Sequence, residues 1–282
     1  MQQNTDLIID TITKYIPKEL SRWELVGFLN KRKEIFAFGS DSKIIGRLFE
    51  VLAFDILYQT AEELGYILCE SEKQTVYPDY FFIKPDGRKI AIDIKTTYRD
   101  DKKGRIKFTA GSFTSYLRNG TKNITGSYDE YDAHYILGVV YTRESKATKG
   151  MTPLDGLSDI TAAYKDVEVF IQEKFRICGD KKGSGNTDNI GTIAATNIKP
   201  FIFGAGPFAF LGKEIFHDYW SNHPRYTDSK EIKASLYNDL LGYINWIGQK
   251  DDVKAQELIE LYNKYLDEYK KEFLTTPYTT EK

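Results

Sequence analysis

Tyr77-Pro78-Asp79-Tyr80-Phe81-Phe82-Ile83-Lys84-Pro85-Asp86-Gly87-Arg88-Lys89-Ile90-Ala91-Ile92-Asp93-Ile94-Lys95 is the stretch on which the reading of this chain turns. Tyr80 to Ile83 reads as a strand. Pro85-Asp86-Gly87 is turn chemistry: the proline presets φ, the aspartate bonds back to its own backbone, and the glycine admits a positive φ. Residues 89–95 then read as a second strand. Folding this hairpin about Asp86 sets Asp79 opposite Asp93, each seven residues from the centre. Directly opposed residues leave an antiparallel pair on one face, where like charges repel. Lys95, two residues further on, shares that face. Two carboxylates beside one ammonium are a poor way to stabilise a sheet and a good way to hold a divalent cation against a phosphate. A bulge at the turn would slip the register by one, so the facing geometry is an expectation for the structure to test.

Outward from the hairpin, the pattern is helices on either side of a central group of strands, a mixed α/β domain. Residues 5–20 read as a short amphipathic helix. Gly39-Ser40-Asp41-Ser42 is a capping sequence for the strongest helical pattern in the chain, 43–64, which Gly65 is suited to end. Glu50 lies within it. Residues 135–141 and 167–171 read as buried strands, 96–123 as a polar, basic stretch, and 179–191 as a glycine- and asparagine-rich loop. From Trp220 to Trp246 the pattern is mostly helical with an early break at Pro224. One apolar helical stripe, Leu258, Leu261/Tyr262, Tyr265, Tyr269 and Phe273, runs through 251–273. Residues 1–250 are expected to form one domain and 251–282 a C-terminal helical extension.

With 282 residues and a net charge of −2, the chain is no general polycation, so any affinity for nucleic acid must come from local positive charge. Cys69 and Cys178 are its two cysteines. Two isolated thiols suggest neither a disulfide framework nor a zinc site, and fit a reducing cytosol. The start lacks a basic, apolar leader, and no stretch approaches the roughly 20 apolar residues of a membrane span. A cytoplasmic protein is expected.

Each candidate constellation has a plainer explanation beside it. Asp93 with Lys95 is also an ordinary hairpin ion pair. Their apolar neighbours favour the other reading, because buried charges need a partner or a metal. Mg²⁺ takes oxygens octahedrally and keeps waters, so two carboxylates and a substrate phosphate suit it, and a lysine alongside would orient water or offset charge on the phosphorane. Glu50 either faces solvent or joins these acids to bind a second cation or relay protons. Arg99, Lys102, Lys103, Arg105, Lys107, Arg118 and Lys122, with Thr109, Ser112, Thr114 and Ser115 between them, are either a solvated surface or phosphate contacts. The run Gly183-Ser184-Gly185-Asn186-Thr187-Asp188-Asn189 is either a mobile tip or a loop whose amides read base edges. It lacks the lysine and spacing of a phosphate-binding P-loop. His134 is expected to be a structural residue, and no nucleophile–histidine arrangement is present.

Pro78-Asp79 followed by Asp93-Ile94-Lys95 resembles the Pro-Asp…Asp-x-Lys signature of the restriction-endonuclease-like PD-(D/E)xK nuclease superfamily. Stretches in order from 39 to 247 resemble its type II restriction endonucleases: Gly39-Ser40-Asp41, Phe49-Glu50, 89–98, Ile106-Lys107-Phe108-Thr109, Thr121-Lys122-Asn123-Ile124, Tyr141-Thr142-Arg143, 183–187, Asn189-Ile190-Gly191 and Asp218-Tyr219-Trp220. The resemblance implies a restriction-endonuclease-like mixed central β-sheet flanked by helices. It also implies a homodimeric, Mg²⁺-dependent enzyme that cuts both strands of palindromic DNA, with a companion DNA methyltransferase in the same cell. By position, Asp79 and Asp93 would be metal ligands, Lys95 the catalytic lysine and Glu50 an accessory acid and ligand. Gly183, Ser184, Gly185, Asn186, Thr187 and Asn189 would lie in the major groove, Gln74 near the minor groove, and Thr97, Ser115 and Lys122 near the DNA backbone. The implied site is GATATC, cut to blunt ends. Lys73-Gln74-Thr75 keeps only part of the family's loop there. Asp188 brings a negative charge into the recognition loop, where it would repel phosphate or select another base. The residues also leave two other readings open: a repair or junction-resolving nuclease of the same superfamily, and a non-catalytic DNA-binding module.

Overall fold

The computed structural model describes residues 6–99, 104–183 and 188–274. In chain order its main elements are α1 (Leu7–Tyr15), β1 (Phe28–Leu29), β2 (Glu34–Phe38), α2 (Ser42–Leu64), β3 (Ile67–Glu70), β4 (Tyr80–Ile83), β5 (Lys89–Arg99), β6 (Ile106–Ser112), β7 (Tyr131–Arg143), β8 (Lys149–Pro153), β9 (Tyr164–Glu173), α3 (Lys174–Ile177), β10 (Cys178–Lys182), β11 (Asn189–Ala195), α4 (Lys199–Phe203), α5 (Phe208–Leu211), α6 (Lys213–Asn222), α7 (Lys230–Ser235), α8 (Leu240–Gly248) and α9 (Asp252–Tyr265).

A five-stranded mixed sheet in the order β3-β4-β5-β7-β9 forms the centre. β5 and β7 run parallel, with α2 and the other helices outside the sheet, and the remaining neighbours are antiparallel. The sheet is buried on both faces, as parallel pairing requires. Ile90, Ile92 and Ile94 turn toward a core shared with α1 and α2, whereas Phe81, Ala91 and Ile136 turn toward a second core. That second core includes residues of β6, β10 and β11, which form their own antiparallel sheet. Alternation along β5 therefore turns Asp93 and Lys95 to the second side.

The capping sequence acts as expected. Asp41 accepts hydrogen bonds from the backbone N–H groups of Lys43 (2.8 Å) and Ile44 (3.2 Å), which hold its carboxyl below the usual range. Gly65 ends α2 in the left-handed conformation at φ +66°, which costs a glycine little.

Sequence reading missed some strands. The polar stretch 96–123 contains the end of β5 and all of β6, and the glycine-rich stretch 179–191 contains most of β10 and the start of β11. β6, β10 and β11 pair in a small sheet, and the lysines, glycines and hydroxyl residues among them give these stretches the texture of a loop. The helical region expected from Trp220 begins earlier, at Lys213, and is split into α6, α7 and α8. α9 packs on the rest of the chain: Ala255 and Leu258 are buried in the same core as Trp220, and Tyr265 is buried with its ring against Phe210. Leu261 is exposed, and the side chains of Tyr269 and Phe273 lie outside the described residues. No helix among the described residues is long and apolar enough to cross a membrane.

Candidate active site

The hairpin register settles the first question. Ile83 faces Lys89, Phe82 faces Ile90, Phe81 faces Ala91 and Tyr80 faces Ile92, with no shift, so the next pair outward is Asp79 and Asp93. The turn is closed without a bulge: Gly87 N–H bonds to the Lys84 carbonyl, and Asp86 accepts the Arg88 N–H at 2.9 Å. Asp79 lies just before β4, and its Oδ2 accepts the Ile94 N–H at 2.6 Å. Asp93 is 4% exposed, and its Oδ1 accepts from Lys95 Nζ at 2.6 Å. The structure thus brings Asp79, Asp93 and Lys95 together.

Electrostatics show the tension that this creates. Burial first, then the neighbouring Asp93 carboxylate, pushes the Asp79 carboxyl up to about 7 against the pull of Lys95 and the Ile94 N–H. Burial alone would lower Lys95, but attraction to Asp93 and Asp79 and the hydrogen bond to Asp93 outweigh it, and the ammonium is held above its ordinary value. Lys95 therefore stays charged.

Does this pair of acids suit a magnesium ion? Asp93 Oδ2 is buried and has no hydrogen-bond partner among the described residues. A buried carboxylate oxygen left in that state costs free energy that a cation would recover. The Asp79–Asp93 repulsion is relieved by the same charge. Two carboxylates suffice for an ion that fills its shell with water and substrate oxygens. The fit is good for these two residues.

Glu50 stands apart from them. Among the described residues, no group of three or more His, Cys, Asp or Glu side chains is gathered for a metal. Glu50 is half-buried on α2 and its carboxylate is taken by Arg47, one turn earlier, which also reaches Glu70 of β3 at 3.3 Å. Its field still reaches the site, since it adds to the upward push on Asp79. Arg47 is the residue that sequence reading passed over. The i,i+3 spacing to Glu50 was visible, but the pairing with Glu70 depends on how β3 packs beside α2.

The expected DNA-contacting residues are spread around this centre. Gln74 is exposed and lines an open cleft of about 410 Å³ together with Arg47 and Asp79. Thr97 lies on β5 opposite Val140 and is half-buried. Lys122 is exposed in the turn after β6. Ser115 is 6% exposed and its hydroxyl donates to the Ser112 carbonyl at 3.3 Å, so it points into the protein's own turn. Gly183 follows β10, its N–H donating to the Asn189 carbonyl at 2.8 Å, and Asn189 opens β11 opposite Ser112 of β6. Ser184, Gly185, Asn186 and Thr187 lie outside the described residues, as do Lys102 and Lys103 of the basic run. In the rest of that run, Arg99 pairs with Glu168 and Arg118 donates to the His223 carbonyl.

Asp188 has a structural occupation that the sequence did not disclose. Its carboxylate accepts from Lys182 Nζ (3.2 Å) and from the Tyr226 N–H (2.7 Å), and its carbonyl accepts the Phe113 N–H (3.0 Å). The carboxylate thus ties Asp188 to the end of β10 and to the backbone at Tyr226. His134, expected to be structural, is buried and bonded through Nδ1 to the Tyr77 hydroxyl at 2.9 Å. Behind the acids lies a second feature absent from the sequence reading. Lys174 is 3% exposed, donates to the Tyr116 hydroxyl at 2.5 Å and sits 4.8 Å over the Tyr77 ring.

Most of the chain is similar to known proteins. Residues 19–248 match the family model described as restriction endonuclease EcoRV. The chain is 41% identical over 233 residues to the type II restriction enzyme EcoRV of Escherichia coli, covering 81% of this chain and 93% of that protein. Among solved structures, the NlaIV restriction endonuclease is similar over 84% of this chain and 79% of its own, at 12% identity and a TM-score of 0.32. The bacterial homing endonuclease I-Ssp6803I is similar over 45% and 75%, at 13% identity and a TM-score of 0.21. Both scores are too low to bear on the site.

Proposed function

Because the chain belongs to the EcoRV restriction endonuclease family, and so is a DNA-cleaving enzyme, we propose that it hydrolyses DNA phosphodiesters with Mg²⁺ held by Asp79 and Asp93. The observation that carries this reading is the convergence of those two carboxylates with the Lys95 ammonium on one face of the hairpin. Bound there, magnesium would lower the pKa of water and offset charge on phosphate oxygens.

The protein groups divide the remaining work. Asp93 fixes Lys95 through a 2.6 Å hydrogen bond, which aims the ammonium along the face where the phosphate must lie. Lys95 is held protonated, so it donates hydrogen bonds to the attacking water or to a non-bridging oxygen as charge builds on phosphorus. The Ile94 N–H keeps Asp79 in position. In-line attack and departure of the 3′ oxygen leave 5′-phosphate and 3′-hydroxyl ends. Glu50 serves as an accessory acid, entering the site from α2 once DNA is present.

The site cut is GATATC, with blunt ends, a choice that rests on the string 183–187 read in the sequence, with Gln74 at the minor groove. Thr97 and Lys122 attend the backbone. The working unit is a homodimer whose two-fold axis matches the palindrome. An exposed stripe supports this: Phe28 pairs with Phe36 and Phe36 with Met151 across β1, β2 and β8, and all three are about half exposed. Such a stripe invites a self-complementary partner. The enzyme works in the cytoplasm beside a companion methyltransferase that protects host DNA.

Digesting a plasmid of known sequence with Mg²⁺ and sequencing the ends tests the site, the cut position and the end chemistry. Discrete blunt fragments at one sequence are expected, and Asp93→Ala should yield none. Undiminished cutting by Asp93→Ala removes the mechanism, and nicking or preference for branched DNA removes the restriction reading.

A further inference from the structure

The open cleft beside Asp79 contains a guanidinium with no assigned task. Arg47 lies on α2 one turn before Glu50 and lines the cleft with Asp79, Gln74 and Lys73. It bridges carboxylates from two separate elements, Glu50 on its own helix and Glu70 at 3.3 Å on β3. Its side chain is nevertheless 42% exposed. On a plain helix surface, such an i,i+3 pair contributes little. Here it sits at the mouth of a site that must admit a polyanion.

That position sets an electrostatic problem. A phosphate approaching Lys95 meets Asp79, Asp93 and Glu50, three carboxylates that repel it. In the DNA-free protein the Glu50 charge is answered by Arg47. Guanidinium forms a planar fork that suits phosphate as well as it suits carboxylate, and it stays charged at all working pH values. Exchange of one anion for the other therefore has little intrinsic cost.

We infer that Arg47 is a substrate-positioning residue: it receives a DNA phosphate at the cleft and, in exchanging Glu50 for that phosphate, releases Glu50 toward Asp79. The inference rests on the nuclease reading above and adds a residue and an order of events to it. Arg47 acts as a latch. While it holds Glu50, that carboxylate is occupied by the guanidinium, and DNA itself supplies the anion that opens the latch.

Binding of a short DNA duplex, followed by fluorescence anisotropy in EDTA over a series of salt concentrations, tests this without catalysis. Arg47→Met should bind on the order of ten-fold more weakly, with a salt dependence shallower by about 1 per protomer, the signature of one lost phosphate contact. Arg47→Lys should keep the salt slope and lose part of the affinity, because the charge remains and the fork does not. Glu50→Gln should change affinity in the opposite direction: with the competing carboxylate neutralised, binding tightens. A purely structural ion pair predicts the same loss from either side, so equal weakening in Arg47→Met and Glu50→Gln overturns the inference, as does an unchanged slope in Arg47→Met. If the parent protein cuts plasmid while Arg47→Met binds like the parent, this inference alone falls. A parent that neither binds nor cuts DNA removes the nuclease reading with it.

Discussion

In the absence of magnesium, replacing Asp79 with asparagine should stabilise this protein above neutral pH and leave it unchanged in acid. Asp79 is partly buried opposite Asp93, and its carboxyl is pushed up to about 7, by burial first and by Asp93 second. A carboxyl whose folded pKa lies above its unfolded one favours the folded state only while protonated. Its contribution is fully present below about pH 4 and is lost as pH rises through about 7. At about 1.4 kcal/mol for each tenfold change in proton affinity, the ionised group costs the folded protein at most about 4 kcal/mol. Solvent reaching the partly exposed side chain trims this to about 2–3 kcal/mol. Asparagine carries no charge, and its carbonyl oxygen can still accept the Ile94 N–H that Asp79 holds at 2.6 Å. Urea unfolding in EDTA from about pH 4 to pH 8 measures the difference. The variant should match the parent at the acid end and exceed it by about 2–3 kcal/mol at the alkaline end. Adding Mg²⁺ at about pH 8 should then stabilise the parent and do little for the variant, because only the parent keeps both acids. An asparagine variant that is less stable at the alkaline end, or a gap that does not vary with pH, would refute the claim that these acids are strained against each other.

Three further perturbations probe other parts of the structure. Phe36→Asp places a charge in the centre of the exposed Phe28–Phe36–Met151 stripe; the parent should sediment as a dimer and the variant as a monomer that nicks rather than breaks plasmid, and a monomeric parent would remove the stripe as an interface. Gly138→Ala should destabilise by about 1–3 kcal/mol in thermal or urea unfolding, because a Cβ there would stand 2.1 Å from Phe170 Cε1 in the middle of the sheet. Asp188→Asn should cost about 1 kcal/mol through the lost charge on the Lys182 contact while leaving the cleavage positions in a plasmid digest the same; a changed set of cut sites would mean that the Asp188 charge is read by the DNA.

The hairpin acids were legible because everything that places them is local. A β-strand alternates sides every residue and a tight turn fixes the pairing, so counting from Asp86 was enough to set Asp79 against Asp93 and to bring Lys95 to the same face. The cap at Asp41 and the stop at Gly65 were legible for the same reason, since each is decided by bonds within a few residues. What the sequence could not disclose depends on segments far apart in the chain. Asp188 looked like a charge in a loop until Lys182 and the backbone of Tyr226 closed on it. Ser115 looked like a surface hydroxyl until the turn after β6 buried it. β6 lay hidden in a stretch that read as polar and basic, and β10 and the start of β11 in one that read as a loop, because β6 becomes a strand only by pairing with β11, far along the chain. Arg47 could be seen to neighbour Glu50 on a helix, but only the packing of β3 beside α2 turned that pair into a bridge facing Asp79. Period and turn chemistry are properties of consecutive residues, whereas burial, counter-charge and access are properties of the space that distant residues enclose.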